Sequence, residues 1–433
     1  MRIGFIIPRD LHNINPFKGQ PLNALYLSTI VANHFQDRVT VELIDLRGIK
    51  KEFIDYYLPE KDIYFYSVTS LEFIEIKRTV AFLRELYPKA KHIAGGIHIS
   101  LFPKESSEVF DVVAQGEGED IIIQTVNDTI ANELKPFYKE TRFVDLNLYP
   151  YPNRAFLPKK SIVMTGQLSG VEANLPATGL ILSRGCPYKC LFCANLYRAT
   201  PRCRSPELIQ QEIEYLKKEY GVQALVIKDD TIISINEKDA VRTLSAIAKC
   251  KVKWRGNSRA SRIKESLVKL ASEAGCVELA LGVESAEQKV LDISLKRLNL
   301  PEAKEFILML KKYGIGARLN LMFGLPGESK VIAKKTIEFI EEVEPSGVLL
   351  SIFMPIPGCD MYQHPEKFGI NLNPDLTFDK LFVAFNRFGD DEHIEPAFVY
   401  DKVTPYGESL SPEEIVANYM EVQTYLKSKK LVF

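Results

Sequence analysis

Leu180-Ile181-Leu182-Ser183-Arg184-Gly185-Cys186-Pro187-Tyr188-Lys189-Cys190-Leu191-Phe192-Cys193 is the stretch whose reading decides the fold. Leu180–Ser183 reads as a short strand, and Gly185 turns it into a loop carrying three cysteines at CxxxCxxC spacing. Three thiolates on one loop can each take one iron of a 4Fe–4S cluster, leaving the fourth iron open to a substrate or cofactor. Tetrahedral structural zinc wants four ligands, usually in two separated pairs, and no second CxxC pair exists. Seven cysteines in 433 residues are sparse and odd in number, unlike a secreted disulfide scaffold. The remaining alternative, buried bystanders, must explain three cysteines crowded onto a single loop.

Outward from this loop the chain alternates strand and helix. Further strands are expected at Ala224–Ile227, Val252–Arg255, Val277–Leu281, Ala317–Phe323 and Val348–Phe353, with helices between them. Ser205-Pro206-Glu207 is a helix start, with a capping hydroxyl, proline at the first helical position and an acid in the first turn. Gly221, Gly275 and Gly314 are expected helix stops. Six strand–helix repeats predict a partial (β/α)6 barrel of the TIM type, whose chemistry belongs at the carboxyl ends of its strands.

Residues before the linker alternate in the same way. Ile3–Ile7, Val39–Ile44, Ile63–Val68, His92–Ala94 and Val112–Ala114 read as strands; Leu22–His34, Ile74–Tyr87 and Asp120–Ala131 read as helices. The pattern predicts an α/β, doubly wound, Rossmann-like parallel sheet that binds ligands beyond its strand ends. The expected division is residues 1–138 for this domain, 139–177 for a proline-rich linker, 178–360 for the barrel and 361–433 for a small C-terminal cap that includes Asp390 and Asp391.

Composition bounds the function. Apolar residues make up 46% and charged residues 26%, which describes a globular protein able to bury large cores. A net charge of −1 with no block of like charges gives no support to nucleic-acid binding. No apolar run is long enough to span a membrane, and the first residues lack the pattern of a signal peptide. Cytoplasmic location is the expectation.

The strand ends carry further polar groups: Asp229 and Asp230 after the second barrel strand, Ser258 and Arg259 after the third, Glu284 after the fourth and Gly324 to Glu328 after the fifth. A carboxylate such as Asp229 can accept from an ammonium group, Arg259 can grip a carboxylate in a bidentate pair, and Glu284 can accept ribose hydroxyls. Read singly, such an aspartate only caps the next helix and Glu284 only pairs structurally.

These runs resemble a known family. The cysteine spacing with Phe192 inside it, Gly282-Val283-Glu284-Ser285, and Gly324-Leu325-Pro326-Gly327-Glu328 look like stretches of the radical S-adenosylmethionine enzymes, over roughly residues 178–360. The resemblance implies that Cys186, Cys190 and Cys193 hold the cluster. It places Asp229, Asp230, Ser258, Arg259, Glu284 and Gly324 around S-adenosylmethionine. Pro21-Leu22-Asn23-Ala24-Leu25, Ala94-Gly95-Gly96-Ile97-His98 and Gln115-Gly116-Glu117-Gly118-Glu119 resemble the cobalamin-binding domain that precedes many barrels of this family. That implies a cobalamin groove lined by Gly95, Gly96, His98, Gly116 and Glu117. Asp10 and His12 match only part of the DxHxxG cobalamin motif, because Asn15 replaces its glycine, so His12 is expected near the groove without ligating cobalt.

The function expected from this resemblance is cobalamin-dependent methylation of an unactivated carbon on a small molecule or peptide, with electrons from a flavodoxin or ferredoxin. Epimerisation, dehydration or rearrangement is the first rival. There Cys359, in a proline–glycine loop past the sixth strand, gives a hydrogen atom to the substrate radical; the competing reading is a packed thiol. A non-catalytic redox or cobalamin sensor is the second rival.

Overall fold

Arg2–Ile7 (β1) has Ile3 through Ile7 buried in unbroken succession, because a parallel strand covered on both faces has no solvent side to alternate with. The strands Thr40–Asp45 (β2), Ile63–Ser67 (β3), Lys91–Gly95 (β4), Val112–Gln115 (β5) and Phe137–Lys139 (β6) join it in one parallel sheet of order β2-β1-β3-β4-β5-β6. Only β6 falls outside the expected strands; it is three residues long, and a single buried side chain, Tyr138, gives too little periodicity to read. The order reverses between β1 and β3, the topological switch point where open α/β sheets bind ligands. The computed structural model describes residues 1–10, 15–17, 19–168, 175–196, 201–233, 236–261, 263–372 and 396–432. His12, Asp390 and Asp391 lie outside the described residues.

The chain divides into two compact units, Met1–Ile162 and Val163–Phe433. The stretch 139–177, expected as linker, is therefore shared between them. Its first part is tied into the first unit: the Val144 N–H donates to the Glu117 carboxylate at 2.6 Å and the Asn153 N–H to the Thr29 hydroxyl at 2.8 Å. Its last part is tied into the second, where Met164 and Ala177 exchange both backbone hydrogen bonds and Leu168 packs on Ala224 and Val226.

In the second unit Ala177–Leu180 (β7) opens the sheet. Ser183–Arg184 (β8) and Arg202–Cys203 (β9) form a short antiparallel pair beside the cysteine loop. Ala224–Ile227 (β10), Lys253–Arg259 (β11), Cys276–Glu284 (β12), Gly316–Phe323 (β13) and Gly347–Ile352 (β14) follow β7 in spatial order as in sequence, all parallel. This is the expected six-stranded partial barrel. The first barrel strand lies earlier than expected, because Leu182 and Ser183 have left the sheet to meet Asp229.

Local chemistry explains the helices. Pro206–Tyr220 (α1) begins where the Ser205 hydroxyl accepts the Leu208 N–H and ends at Gly221, whose φ of 68° is the left-handed cap. Pro412–Lys429 (α2) starts with a reciprocal capping box between Ser411 and Glu414. The chain after α2 returns to the sheet, where the Val348 N–H donates to the Leu431 carbonyl. The tail also covers the end of β13: the Tyr400 hydroxyl donates to the Gly324 carbonyl at 2.8 Å.

Candidate functional site

The loop from Gly185 to Cys193 is fastened at both ends. At its entry, the Asp229 carboxylate accepts the Leu182 N–H at 2.8 Å and the Ser183 hydroxyl at 2.6 Å. At its exit, the Leu191 N–H donates to the Ser294 carbonyl at 3.0 Å while the Leu191 carbonyl accepts the Met361 N–H at 3.2 Å. None of Cys186, Cys190 and Cys193 is in a disulfide, and Cys190 is buried while the other two are half-buried. Burial, then the charges of the neighbouring thiols and Asp230, raises the thiols of Cys186 and Cys193 above their ordinary range. Among the described residues no three His, Cys, Asp or Glu side chains converge as a single metal ion would require. A cluster instead gives each cysteine its own iron, and three thiols spaced along one fastened loop fit that demand.

Arg259, at the end of β11, reaches this loop from the sheet. Its guanidinium lies 3.8 Å from the centre of the Tyr188 ring, and Nη1 stands 3.9 Å from the Cys190 sulfur. Arg259 is only 8% exposed, and among the described residues its Nε and Nη2 meet no hydrogen-bond partner. A buried cation with unused donors is costly unless an anion completes it. Arg259 is therefore matched to an anionic group placed beside the cysteine loop.

Glu284 ends β12. The strand bulges between Gly282 and Glu284, and Glu284 takes a φ of 74°, a left-handed conformation rare for a side chain of this size. Its Oε1 accepts from the Lys296 ammonium at 2.8 Å, and both side chains are almost buried. Lys296 was not singled out in the sequence, because it lies in an irregular loop twelve positions from its partner rather than at a strand end. Tyr188, Asn195 and Ser294 were missed for the same reason. Asn195 donates to Asp230 at 3.0 Å.

The other candidates take these places. Asp229 is buried with both oxygens engaged in the loop entry, and burial pushes its carboxyl up to about 7. Ser258 is buried with an unpartnered hydroxyl; it shares strand parity with Trp254, which sits in the apolar core, so it faces away from Arg259. Gly324, at φ 89°, has its Cβ direction filled by Ile415 and Phe398 of the tail. Glu328 closes that turn by accepting the Gly324 and Leu325 N–H groups at 2.7 and 3.1 Å. Cys359 is fully buried, and its sulfur accepts the Tyr362 N–H at 3.3 Å to cap a short helix, Asp360–Gln363. Burial pushes its thiol up to about 11.

In the first unit, Gly95, Gly96 and Gly116 stand at the carboxyl ends of β4 and β5. Gly96 at φ 102° would place a Cβ 2.6 Å from the Val68 nitrogen, and Gly116 at φ 101° would place one 2.2 Å from the Glu140 carbonyl. Both are needed for close passage of protein backbone, whereas a Cβ on Gly95 meets only ordinary contacts at 3.5 Å. His98 is buried against Phe73, with ring centres 4.1 Å apart, and its Nδ1 is 3.1 Å from the Ser70 hydroxyl. Burial drives its imidazole down to about 4. Glu117 is buried and engaged with Val144. At the switch point, Arg9 and Glu75 pair at 2.5 Å and tie the chain just past β1 to Phe73–Leu86, the helix that follows β3.

A partial barrel with three cysteines on the loop after its first strand defines an iron–sulfur class of α/β protein. Residues 180–340 match the model of the radical SAM superfamily. An uncharacterized methyltransferase of Pyrococcus horikoshii is 24% identical over 375 residues, covering 80% of this chain and 78% of that one. The anaerobic magnesium-protoporphyrin IX monomethyl ester cyclase of Cereibacter sphaeroides is 28% identical over 318 residues, covering 66% of this chain but only 50% of the cyclase. Among solved structures, the radical S-adenosylmethionine methyltransferase TsrM from Kitasatospora setae, with cobalamin and an iron–sulfur cluster bound, superposes over 100% of this chain and 90% of its own. The TM-score is 0.71 at 13% identity, so both units share its fold. Among the described residues no helix is long and apolar enough to cross a membrane.

Proposed function

We propose that this protein is a radical S-adenosylmethionine enzyme that methylates an unactivated carbon of a small-molecule or peptide substrate, with cobalamin held by the first unit. The observation that carries the reading is the buried Arg259 guanidinium, with two unused donors, set against the three-cysteine loop. When bound, the cluster and S-adenosylmethionine supply a carbon-centred radical that removes hydrogen, and methylcobalamin supplies the methyl group. Cys186, Cys190 and Cys193 would hold the cluster, and Arg259 would pair with the carboxylate of the methionine moiety. Glu284, fixed by its bulge and by Lys296, would accept the ribose hydroxyls. Asp229 holds the loop entry through its two hydrogen bonds. The first unit supports the cobalamin assignment through its sheet order, whose switch point lies between β1 and β3. Similar proteins whose names are those of methyltransferases support the reaction class. The buried, helix-capping Cys359 gives no support to a thiol hydrogen donor.

The test is anaerobic reconstitution with iron, sulfide and hydroxocobalamin, followed by S-adenosylmethionine carrying a labelled methyl group. One cluster and one cobalamin per chain, 5′-deoxyadenosine release on reduction by dithionite or a flavodoxin, and label on the bound cobalamin are expected. Protein that takes up iron but retains no cobalamin through gel filtration defeats the methyl-transfer reading. Protein that takes up zinc and no iron defeats the whole reading.

A further inference from the structure

Lys296 touches two parts of the site at once. Its ammonium is 2.8 Å from Glu284 Oε1, and among the described residues no donor meets Oε2, the oxygen left to accept from a ligand. The same ammonium lies 5.7 Å from the centre of the Phe192 ring, within cation–π range of the cysteine loop. Two residues earlier, the Ser294 carbonyl accepts the Leu191 N–H of that loop. The segment is built at a conformational cost: Glu284, Leu295 and Arg297 all have positive φ, of 74°, 49° and 49°. Three left-handed side-chain-bearing residues persist together only where surrounding contacts over-determine them. Gly282 makes room for the pair, since a Cβ there would stand 2.5 Å from Glu284 Oε1 and 2.9 Å from the Lys296 nitrogen.

We infer that Lys296 is a positioning residue that sets the Glu284 carboxylate for the sugar hydroxyls of the nucleoside and ties that carboxylate to the cysteine loop. This rests on the radical S-adenosylmethionine reading above. Lys296 touches no reacting atom; it acts through Glu284. Without it, Oε1 loses its donor in a nearly dry setting and the carboxylate turns from its working orientation. Damage is then confined to the nucleoside half of the ligand. The methionine half meets Arg259 and the cluster, which Lys296 does not touch.

The two halves can be offered separately to reconstituted, unreduced enzyme, where no turnover occurs. Binding of 5′-deoxyadenosine and of methionine is measured by calorimetry on wild type, Lys296→Met, Lys296→Arg and Gly282→Ala, with iron per chain determined for each. Lys296→Met should keep its iron, bind methionine within about twofold of wild type, and lose about tenfold in 5′-deoxyadenosine affinity, equivalent to ~1.4 kcal/mol. Lys296→Arg should recover most of that loss. Gly282→Ala, which displaces only the flexible ends of the two side chains, should reproduce it without altering the loop. Equal loss of both ligands in Lys296→Met and Gly282→Ala, or no loss of either, overturns the positioning role. A wild-type enzyme that holds iron yet binds neither half overturns the underlying reading and the inference with it.

Discussion

Replacing Asp229 separates the loop-fastening hydrogen bonds from the charge that makes them. The carboxyl is pushed from an ordinary 3.8 up to about 7 because it is fully buried. Folding therefore takes up a proton between these values. Asp229 contributes its full stability below pH ~4, and the contribution falls as pH rises through about 7 and is flat above. A shift of roughly three units corresponds to ~4 kcal/mol, of which about 2.5 kcal/mol falls between pH 5 and pH 8. Asp229→Asn keeps an acceptor and removes the charge, so it should gain about that amount on wild type between the two pH values. Asp229→Ala leaves the Leu182 N–H and the Ser183 hydroxyl without their acceptor. At ~1–3 kcal/mol for each buried orphan, it should lose several kcal/mol at pH 5 and less at pH 8. The only tryptophan, Trp254, is buried in β11 of the same unit, so urea unfolding followed by its fluorescence reports on the barrel. An Asn variant whose stability relative to wild type is the same at pH 5 and pH 8 refutes the argument. Iron retention adds a functional reading, with loss expected in Asp229→Ala and not in Asp229→Asn.

Glu328→Gln should behave similarly at the end of β13. Burial pushes Glu328 from 4.5 up to about 8, so wild type loses stability as pH rises between those values; the variant should be weaker at pH 5, by ~1–2 kcal/mol for a poorer pair of acceptors, and stronger at pH 9. In the first unit, Gly96→Ala and Gly116→Ala combine a left-handed backbone with contact against neighbouring backbone, and each should cost ~2 kcal/mol or more in thermal unfolding followed by circular dichroism. Gly95→Ala should cost under ~1 kcal/mol in the same measurement, and a cost equal to that of Gly96→Ala would show that β4's end is tighter than described.

Much of the fold was legible because period and punctuation agree. β1, β3 and β10 are short runs of mostly apolar residues, and Ser205, Pro206 and Gly221 bracket their helix as the capping rules require. What failed to show was short or compensated. β6 buries one side chain, and residues 139–162 look like a linker because their buried side chains, Val144, Leu146, Leu157 and Ile162, follow no sustained helix or strand period. The first barrel strand was placed late because Leu182 is as apolar as Leu180; only the Asp229 carboxylate, reaching across from the next strand, distinguishes the residue in the sheet from the one outside it.

The candidate site divides along the same line. Residues at strand ends, such as Arg259 and Glu284, were found because barrel topology gathers strand ends at one place. What those residues do was less visible, because it depends on partners from distant loops. Two acidic residues illustrate this. Asp229 and Glu284 both stand at strand ends and both looked like ligand carboxylates, yet Asp229 spends both oxygens on the loop entry while Glu284 has only one oxygen held by Lys296. Cys359 makes the same point for thiols. Its place past the sixth strand suggested a hydrogen donor, but the backbone turns there so that its sulfur caps Asp360–Gln363, whose Met361 N–H holds Leu191 of the cysteine loop. With that hydrogen bond and no exposure, the thiol meets the cysteine loop only through the backbone of the helix it caps. The sequence position of a reactive side chain limits where it stands, and the groups already bonded to it decide what remains for a ligand.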